Sequence, residues 1–254
     1  MGAEPGDGRG RQGTVLVGLI ETVALTASTN ADMLERAEAG APEGLWIRAE
    51  RQSGGRGRLG RQWLSPLGNL YCSTLVRIGS QDPAAHLLAF VAGLAVLDTV
   101  RAILPDSHAR LKWPNDVHVD GAKLAGILLE RRRDAVVVGI GMNVAIAPEV
   151  TGRSVTSLHD QGAMAQVDAA AVIELLEPRF RSRLLQWRTT DPATLLEVWC
   201  AAAHKPGEAM AVQRGPEDRI EGVFEGLSTD GALLLRCADG RIESVSAGDV
   251  HLLA

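Results

Sequence analysis

Short runs of β-branched and aliphatic residues alternate with apolar residues at helical spacing through most of the chain. The first pattern predicts strands at residues 14–20, 45–50, 70–77, 109–113, 117–119, 122–130 and 135–146. The second predicts helices at residues 31–39, 82–104, 168–188 and 191–203. Pro178 lies inside the third of these helices and can interrupt it. We expect one large domain of mixed helices and strands at residues 14–205.

The pattern changes after Gly207, where short β-like runs replace the longer elements. They lie at residues 209–213, 219–227, 232–237 and 242–246, separated by Asp-Gly turns at 230–231 and 239–240. Short strands joined by such turns are typical of a small β-barrel. We therefore expect a second domain at residues 206–254, and a disordered polar tail at residues 1–13.

Composition and charge narrow the class of protein. Of the 254 residues, 46% are hydrophobic, and the net charge of −5 argues against a general nucleic-acid binder. Cys72, Cys200 and Cys237 are too widely spaced for a disulfide framework or a metal site, and they indicate a reducing compartment such as the cytoplasm. Polar residues interrupt the apolar stretch 84–104, so no membrane span is expected. Residues 1–13 are polar and Gly-rich and lack the apolar core of a signal peptide, so none is expected there.

A basic, glycine-rich stretch covers residues 51–63. It contains four arginines, four glycines and no acidic residue, so it can form neither a core element nor a stable helix. Glycine lets the backbone approach a ligand closely, and arginine offers a fixed fork of donors to a carboxylate or phosphate. We expect a loop between two strands of one sheet that orders over an anionic ligand and is mobile without it. A solvated basic loop is the alternative.

Three further segments carry candidate chemistry. Lys112-Trp113-Pro114-Asn115-Asp116 and Lys123 fall in a predicted hairpin, where the lysines can offset phosphate charge and the Asn-Asp pair can hold Mg²⁺. Ser28-Thr29-Asn30 precedes a helix and can cap it or bind an anion. The glycines of Gly139-Ile140-Gly141-Met142-Asn143 permit close approach by a ligand or another backbone. Taken alone, the hairpin lysines equally fit a solvated surface, and the last segment is weak.

In order and approximate spacing, these segments resemble the biotin–protein ligases. The matching residues also include Gln52, Gly55-Arg56-Gly57-Arg58-Leu59-Gly60-Arg61 and Lys123-Leu124-Ala125-Gly126. Residues 226–250 resemble the C-terminal SH3-like domain of that family. The resemblance implies an α+β fold: a mixed β-sheet with helices packed mainly on one side, of the class II synthetase-like type, plus a small C-terminal SH3-like β-barrel.

The resemblance also implies an activity and a set of site residues. Biotin and ATP would condense, with Mg²⁺, to biotinyl-5′-AMP and pyrophosphate, and biotin would then pass to a lysine of a biotin carboxyl carrier protein. The implied catalytic residues are Arg56, Lys112 and Lys123. The implied biotin-binding residues are Ser28, Thr29, Asn30, Gln52, Arg56, Gly57, Arg58, Lys123 and Gly126. The implied ATP-binding residues are Arg58, Arg61, Trp63, Lys112, Asn115, Asp116 and Asn143, with Asp116 also as a Mg²⁺ ligand.

Two departures and two rival functions bear on this interpretation. Some family members carry an N-terminal DNA-binding domain, but no helix-turn-helix is seen ahead of Thr14, so no operator binding is expected. Leu59 stands where a basic residue is frequent in relatives.

Lipoate ligases and octanoyl transferases resemble biotin ligases in fold and also modify a carrier lysine, whereas a noncatalytic nucleotide- or RNA-binding module would release no pyrophosphate. The oligomeric state is open between monomer and homodimer.

Overall fold

The computed structural model of the protein describes residues 18–215 and 217–253. The strands of its larger sheet are β1 (Ile20–Thr26), β2 (Trp46–Gln52), β3 (Leu70–Arg77), β4 (Ala109–Lys112), β5 (Asp116–Val119), β6 (Ala122–Arg132) and β7 (Ala135–Met142). The α-helices are α1 (Thr29–Glu38), α2 (Leu88–Ile103), α3 (Ala169–Thr189) and α4 (Pro192–Ala201). The predicted tail at residues 1–13 and most of the strand predicted at 14–20 lie outside the described residues.

The larger sheet is mixed, as expected. Its strands pair in the order β1-β2-β3-β7-β6-β5-β4. β1 runs parallel to β2, and the other neighbouring pairs are antiparallel. Since β2 and β3 are neighbours, the basic loop connects two adjacent strands of one sheet, which confirms that expectation. The hairpin strands β5 and β6 lie on the other side of β7, so the loop and the hairpin flank the central strands.

The helices pack on both faces of this sheet, with most of them on one face. α1 packs against β2, β3 and β7, and α2 and α3 pack against the sheet through the main core. Leu75 of β3 contacts the cluster around Met33 of α1, whereas the adjacent Val76 belongs to the main core. Because successive strand residues point to opposite faces, α1 lies on the face opposite α2 and α3. This leaves the α1 face partly uncovered.

β1 and α3 differ from the sequence-based expectation. Among the described residues β1 covers Ile20–Thr26 and so continues past the predicted end at residue 20, and its ladder with β2 starts with Ile20 opposite Trp46. β1 is a half-exposed edge strand, so its burial gives no clean alternation. α3 runs uninterrupted through Pro178. The guanidinium of Arg179 donates a 2.7 Å hydrogen bond to the Leu175 carbonyl in the turn that the proline weakens.

α2 begins later than its sequence suggested. The helix starts at Leu88, after a short 3-10 turn, and not at Asp82. The Asp82 carboxylate accepts hydrogen bonds from Gly79 N and from Arg188, so it is not free to cap a helix. By length and composition alone, residues 85–103 could cross a membrane, but most of this stretch is buried inside the fold, as is usual for a core helix.

The C-terminal residues form a five-stranded antiparallel sheet that shares the main core. Its strands are β8 (Ala209–Gln213), β9 (Arg219–Leu227), β10 (Leu233–Arg236), β11 (Ile242–Val245) and β12 (Asp249–Leu252), in the order β11-β10-β9-β8-β12. Phe224 and Leu233 belong to the same buried cluster as α2. The indole of Trp113 donates a 3.1 Å hydrogen bond to the Gly231 carbonyl. The two sheets are therefore packed together.

Gly231→Ala tests this packing between the two sheets. Gly231 has a φ of +78°, and a Cβ there would lie 2.6 Å from Cε2 of Phe90. We expect the substitution to lower the free energy of unfolding by roughly 1–2 kcal/mol because alanine is strained at positive φ. Overpacking should lower it by roughly 1–3 kcal/mol more. The measurement is the free energy of unfolding in urea.

Gly240→Ala is the matched control. Gly240 follows an aspartate in a similar turn and has a φ of +83°, but a Cβ there would meet no atom of the described residues within 4 Å. Gly240→Ala should therefore lower the free energy of unfolding only by the roughly 1–2 kcal/mol that comes from alanine at positive φ. Equal losses at Gly231 and Gly240 would contradict tight packing of the smaller sheet against Phe90.

Candidate active site

A large pocket lies between the basic loop and the hairpin. It encloses about 1160 Å³ of space, part of it open to solvent. Most of the residues that the sequence analysis singled out line it: Ser28, Thr29, Asn30, Gln52, Arg56, Gly57, Arg58, Arg61, Trp63, Asn115, Asp116, Lys123, Gly126 and Asn143. Lys112 is absent from the lining formed by the described residues. The fold thus brings together segments that are far apart in the sequence.

Three glycines leave the strand backbones under the pocket bare. A Cβ at Gly141 would lie 2.5 Å from Cε2 of Trp63, and one at Gly126 would lie 3.1 Å from Cζ3 of the same ring. A Cβ at Gly139 would lie 2.1 Å from Oδ1 of Asn30. Gly126 and Gly141 are direct partners across β6 and β7. A close approach by a ligand or another backbone was predicted at Gly139 and Gly141, and in the structure it is side chains, those of Asn30 and Trp63, that approach these glycines.

The start of α1 forms an uncharged polar wall of the pocket. Ser28 is the N-cap residue, but among the described residues its hydroxyl makes no capping hydrogen bond, so the simple cap interpretation is wrong for its side chain. The backbone N–H of Thr29 donates to Oε1 of Gln52 at 2.9 Å, and the hydroxyl oxygen of Thr29 lies 3.1 Å from the same atom. The hydroxyl of Ser73 lies 2.6 Å from Oδ1 of Asn30. This wall holds hydroxyl and amide groups in fixed positions.

The basic loop folds back on itself as a short hairpin. Arg56 pairs with Gln62 as an antiparallel bridge, and Gly57 N donates to the Arg61 carbonyl at 2.7 Å. Leu59 lies at the tip with a φ of 57° and is 75% exposed. The hairpin therefore presents arginines to the pocket while its one apolar residue faces solvent. Mobility of the loop without ligand stays a prediction.

Hydrogen bonds and ion pairs fix the loop arginines. Arg58 Nη1 donates to Oδ1 of Asn115 at 3.1 Å, and burial lowers the pKa of Arg58. Arg61 Nη2 lies 2.5 Å from Oδ2 of Asp249 on β12, and this hydrogen bond raises the pKa of Arg61. Arg153 approaches the same carboxylate oxygen at 3.4 Å. The smaller sheet thus contributes an anion to the mouth of the pocket.

Lys123 and Asp116 form the closest charge pair in the hairpin wall. Lys123 Nζ lies 2.6 Å from Oδ1 of Asp116 and 5.4 Å from the centre of the Trp63 ring. Burial acts to raise the pKa of Asp116, but the charge of Lys123 and its hydrogen bond to this carboxylate outweigh burial and lower the pKa to about 2. Burial lowers the pKa of Lys112, which stands opposite Asp116 across β4 and β5. Lys123 therefore faces the pocket, whereas Lys112 lies opposite Asp116 on the neighbouring strand and outside the pocket lining of the described residues.

The oxygen atoms of the pocket fit a cation that arrives with a substrate better than a resident metal. No group of three or more His, Cys, Asp or Glu residues that could hold a metal is present in the described parts of the chain. Oδ1 of the buried Asn143 has no hydrogen-bond partner there either. Mg²⁺ is usually held by one or two protein oxygens together with phosphates and waters. Asp116 and Asn143 offer such oxygens.

Several residues at the site escaped the sequence analysis. Arg153 and Asp249 line the pocket, as do Pro148, Val150 and Val155. A bridge between Lys123 and Val155 brings this segment to the hairpin. Glu130 accepts a 2.7 Å hydrogen bond from Asn30 Nδ2. No sequence signal marks Asp249, because its place depends on how the two sheets pack, whereas Glu130 closes the Lys-Leu-Ala-Gly strand and could have been found there.

Comparison with known proteins agrees with this geometry. The Biotin/lipoate A/B protein ligase family matches residues 22–146, and the Biotin protein ligase C terminal domain matches residues 207–253. The biotin–[acetyl-CoA-carboxylase] ligase of Mycobacterium tuberculosis is 39% identical over 92% of this chain and 89% of its own length. That of Paracoccus denitrificans is 38% identical over 86% and 95%. The Escherichia coli bifunctional ligase/repressor BirA is 32% identical over 92% and 74%.

Solved structures lead to the same family. Biotin protein ligase from Aquifex aeolicus in complex with biotin and ATP superposes with a TM-score of 0.78 at 28% identity, covering 92% of this chain and 98% of that one. The Leishmania major biotin protein ligase in complex with biotinyl-5-AMP gives 0.64 at 28% identity, covering 90% and 99%. Sequence, fold and pocket agree, and this chain belongs to the biotin protein ligases.

Proposed function

We propose that this chain joins biotin to a carrier protein at the pocket described above. An oxygen of the biotin carboxylate attacks the α-phosphorus of ATP, and pyrophosphate leaves. The amine of a carrier lysine then attacks the acyl carbon of biotinyl-5′-AMP, the amine loses its proton, and AMP leaves. The observation that carries the proposal is a single pocket with a cationic side at Arg56, Arg58 and Lys123 and an uncharged polar side at Ser28 and Thr29.

The cationic side suits the adenylation step. That step brings together a carboxylate and a triphosphate, so their mutual repulsion must be offset. Lys123 lies over the bare backbone at Gly126, where its Nζ is within 3.2 Å of the position of a Cβ. Arg56 and Arg58 approach from the loop. Holding the carboxylate and the α-phosphorus in line between these cations supplies much of the expected rate enhancement.

The uncharged polar side suits the ring of biotin. A ureido group offers one carbonyl acceptor and two N–H donors, which hydroxyl and amide side chains can match. The hydroxyl of Ser28 is not used as a helix cap within the described residues, so it is available to a ligand. The Trp63 ring lies next to Gly126 and Gly141. It can cover the apolar part of the ligand and the adenylate. A closed loop would also exclude water from the adenylate.

Mg²⁺ enters this proposal as the companion of ATP. Bound with the phosphates, it would neutralise negative charge as pyrophosphate leaves. Asp116 and Asn143 are the residues of this chain that would hold it, from the oxygen atoms described above. Lys112 supports the same side by its positive charge and does not itself line the pocket.

The partner in the second step is the carrier domain of a biotin-dependent carboxylase. We place the reaction in the cytoplasm because Cys72, Cys200 and Cys237 are all free thiols. The domain division at residue 206, the absence of operator binding and the choice between monomer and homodimer belong to the proposal as well. A lipoate or octanoate substrate is the alternative, and acyl transfer assays with each acid distinguish these substrates.

Biotin-dependent exchange of pyrophosphate into ATP tests the adenylation step. We expect Lys123→Ala and Arg56→Ala each to lower the exchange rate by about 100-fold or more, because each removes a cation that offsets developing charge. Lys205→Ala is the matched control, since Lys205 is exposed and distant in sequence from the pocket. It should leave the rate unchanged. Exchange that proceeds equally well in Lys123→Ala would contradict the role of Lys123.

Acid titration of stability tests the Lys123–Asp116 pair. Because the pKa of Asp116 is depressed in the fold, its contribution to stability is present above its ordinary value near 3.8 and is lost as the pH falls toward about 2. Asp116→Asn should therefore be less stable than the parent protein by roughly 2 kcal/mol at pH 7. This difference should shrink between pH 4 and pH 2.

Urea unfolding of the ligand-free protein from pH 7 to pH 2 measures that difference. Asp106→Asn is the control, because Asp106 is exposed in a turn, and its stability should follow that of the parent protein throughout. A constant gap between Asp116→Asn and the parent at every pH would mean that the carboxylate is not held ionised by Lys123.

A further inference from the structure

A chain of hydrogen bonds crosses the wall of the pocket from Glu130 to the basic loop. Its first part links β6 to β3 through the start of α1. Nδ2 of Asn30 donates to Oε2 of Glu130 at 2.7 Å and to the Leu128 carbonyl at 3.5 Å. The hydroxyl of Ser73 donates to Oδ1 of Asn30 at 2.6 Å. Ser73 is fully buried, and Asn30 is 4% exposed.

The second part of the chain reaches the loop through Gln52. Oγ of Ser73 lies 2.8 Å from Oγ1 of Thr29. The backbone N–H of Thr29 donates to Oε1 of Gln52 at 2.9 Å, and the hydroxyl oxygen of Thr29 lies 3.1 Å from the same atom. Nε2 of Gln52 then donates to Oγ of Ser65 at 3.3 Å, and the hydroxyl of Ser65 donates to the carbonyl of Trp63 at 3.1 Å. The chain therefore ends on the residue that covers the glycines.

Glu130 determines the direction of this chain. A hydroxyl can turn its proton either way, and an amide can exchange its oxygen and nitrogen by a flip, but a carboxylate can only accept. Because Oε2 of Glu130 accepts from Asn30, the amide oxygen of Asn30 must face Ser73. Ser73 has one proton, and it gives that proton to Asn30 at the shorter distance. Its lone pairs then face the hydroxyl of Thr29, 2.8 Å away, so Thr29 gives its single hydroxyl proton to Ser73 and turns its own lone pairs toward the pocket.

Asn30 itself has little capacity left for a ligand. Both hydrogens of its Nδ2 point to Glu130 and Leu128, and its oxygen accepts from Ser73. Gly139 lies directly under this oxygen. A buried amide whose polar atoms all have protein partners orients its neighbours. This differs from the direct contact with biotin that the family resemblance implied.

We propose that Glu130 is a positioning residue for biotin recognition. Acting through Asn30 and Ser73, it sets the direction of the Thr29 hydroxyl, so that this hydroxyl presents an acceptor to the pocket. Asn30 transmits this orientation and does not bind the ligand. The inference rests on the proposed function, because it takes biotin as the ligand of this wall.

Calorimetric titration with biotin in the absence of ATP tests the inference. Glu130→Ala should weaken biotin binding by about ten-fold, in the range of one hydrogen bond to a charged group. Glu130→Gln should restore most of the affinity, since its amide oxygen can still accept from Asn30. In pyrophosphate exchange, Glu130→Ala should raise KM for biotin and leave KM for ATP within about two-fold. Glu50→Ala, at an exposed position of β2, should leave both values unchanged.

A second variant keeps the test valid if Glu130→Ala folds poorly. Ser73→Ala breaks the same chain without removing a charge, and it should also weaken biotin binding by about five- to ten-fold. The double variant should bind biotin little more weakly than either single variant, because one substitution already interrupts the chain of hydrogen bonds. Additive losses, or biotin affinity in Glu130→Ala equal to that of the parent, would overturn the inference. Failure of the parent protein to bind biotin would instead overturn the proposed function.

Discussion

The site depends on bare backbone at three positions of the central strands. Gly126, Gly139 and Gly141 leave room for side chains to lie flat on the sheet, and a methyl group at Gly139 or Gly141 would collide with Asn30 or Trp63. Glycine weakens a strand interior, so these residues lower the stability of the sheet at its centre. The flanking residues of β7 compensate, since Val136, Val137 and Val138 are buried almost completely.

Because the two sheets pack together, both contribute residues to the pocket that lies over these glycines. α2 is buried between the larger sheet and α3, and Phe90 at its start meets the turn at Gly231. The same packing sets β12 beside the basic loop, where Asp249 reaches Arg61 and Arg153. An exposed ion pair of this kind stabilises a protein little. Its consequence here is geometric, because it ties the loop and the segment after β7 to one carboxylate.

The sequence predicted which residues lie at the site better than it predicted the contacts between them. Arginines among glycines, the Lys-Trp-Pro-Asn-Asp turn and the glycines of β7 each carry a local signal. Of the site residues that the resemblance implied, all but Lys112 line the pocket. Ser73 and Asp249 carry no such signal, because their roles arise from partners far away along the chain, and the partner of Glu130, Asn30, is equally distant although its strand was marked by the Lys-Leu-Ala-Gly motif. The start of α2 was misplaced for the same reason, since Asp82 is bound by Arg188, a distant residue that competes with the local capping signal.

Part of the positive charge of the pocket is paired with carboxylates before any substrate arrives. Asp116 holds Lys123, and Asp249 holds Arg61, so neither cation is left unpaired at a partly desolvated site. An anionic substrate must compete with these carboxylates, which lowers its affinity. In return, the cations already point into the pocket and need not reorganise when charge develops on the reacting groups, which is the main source of electrostatic catalysis. This arrangement lets a chain of net charge −5 maintain a local site for anions.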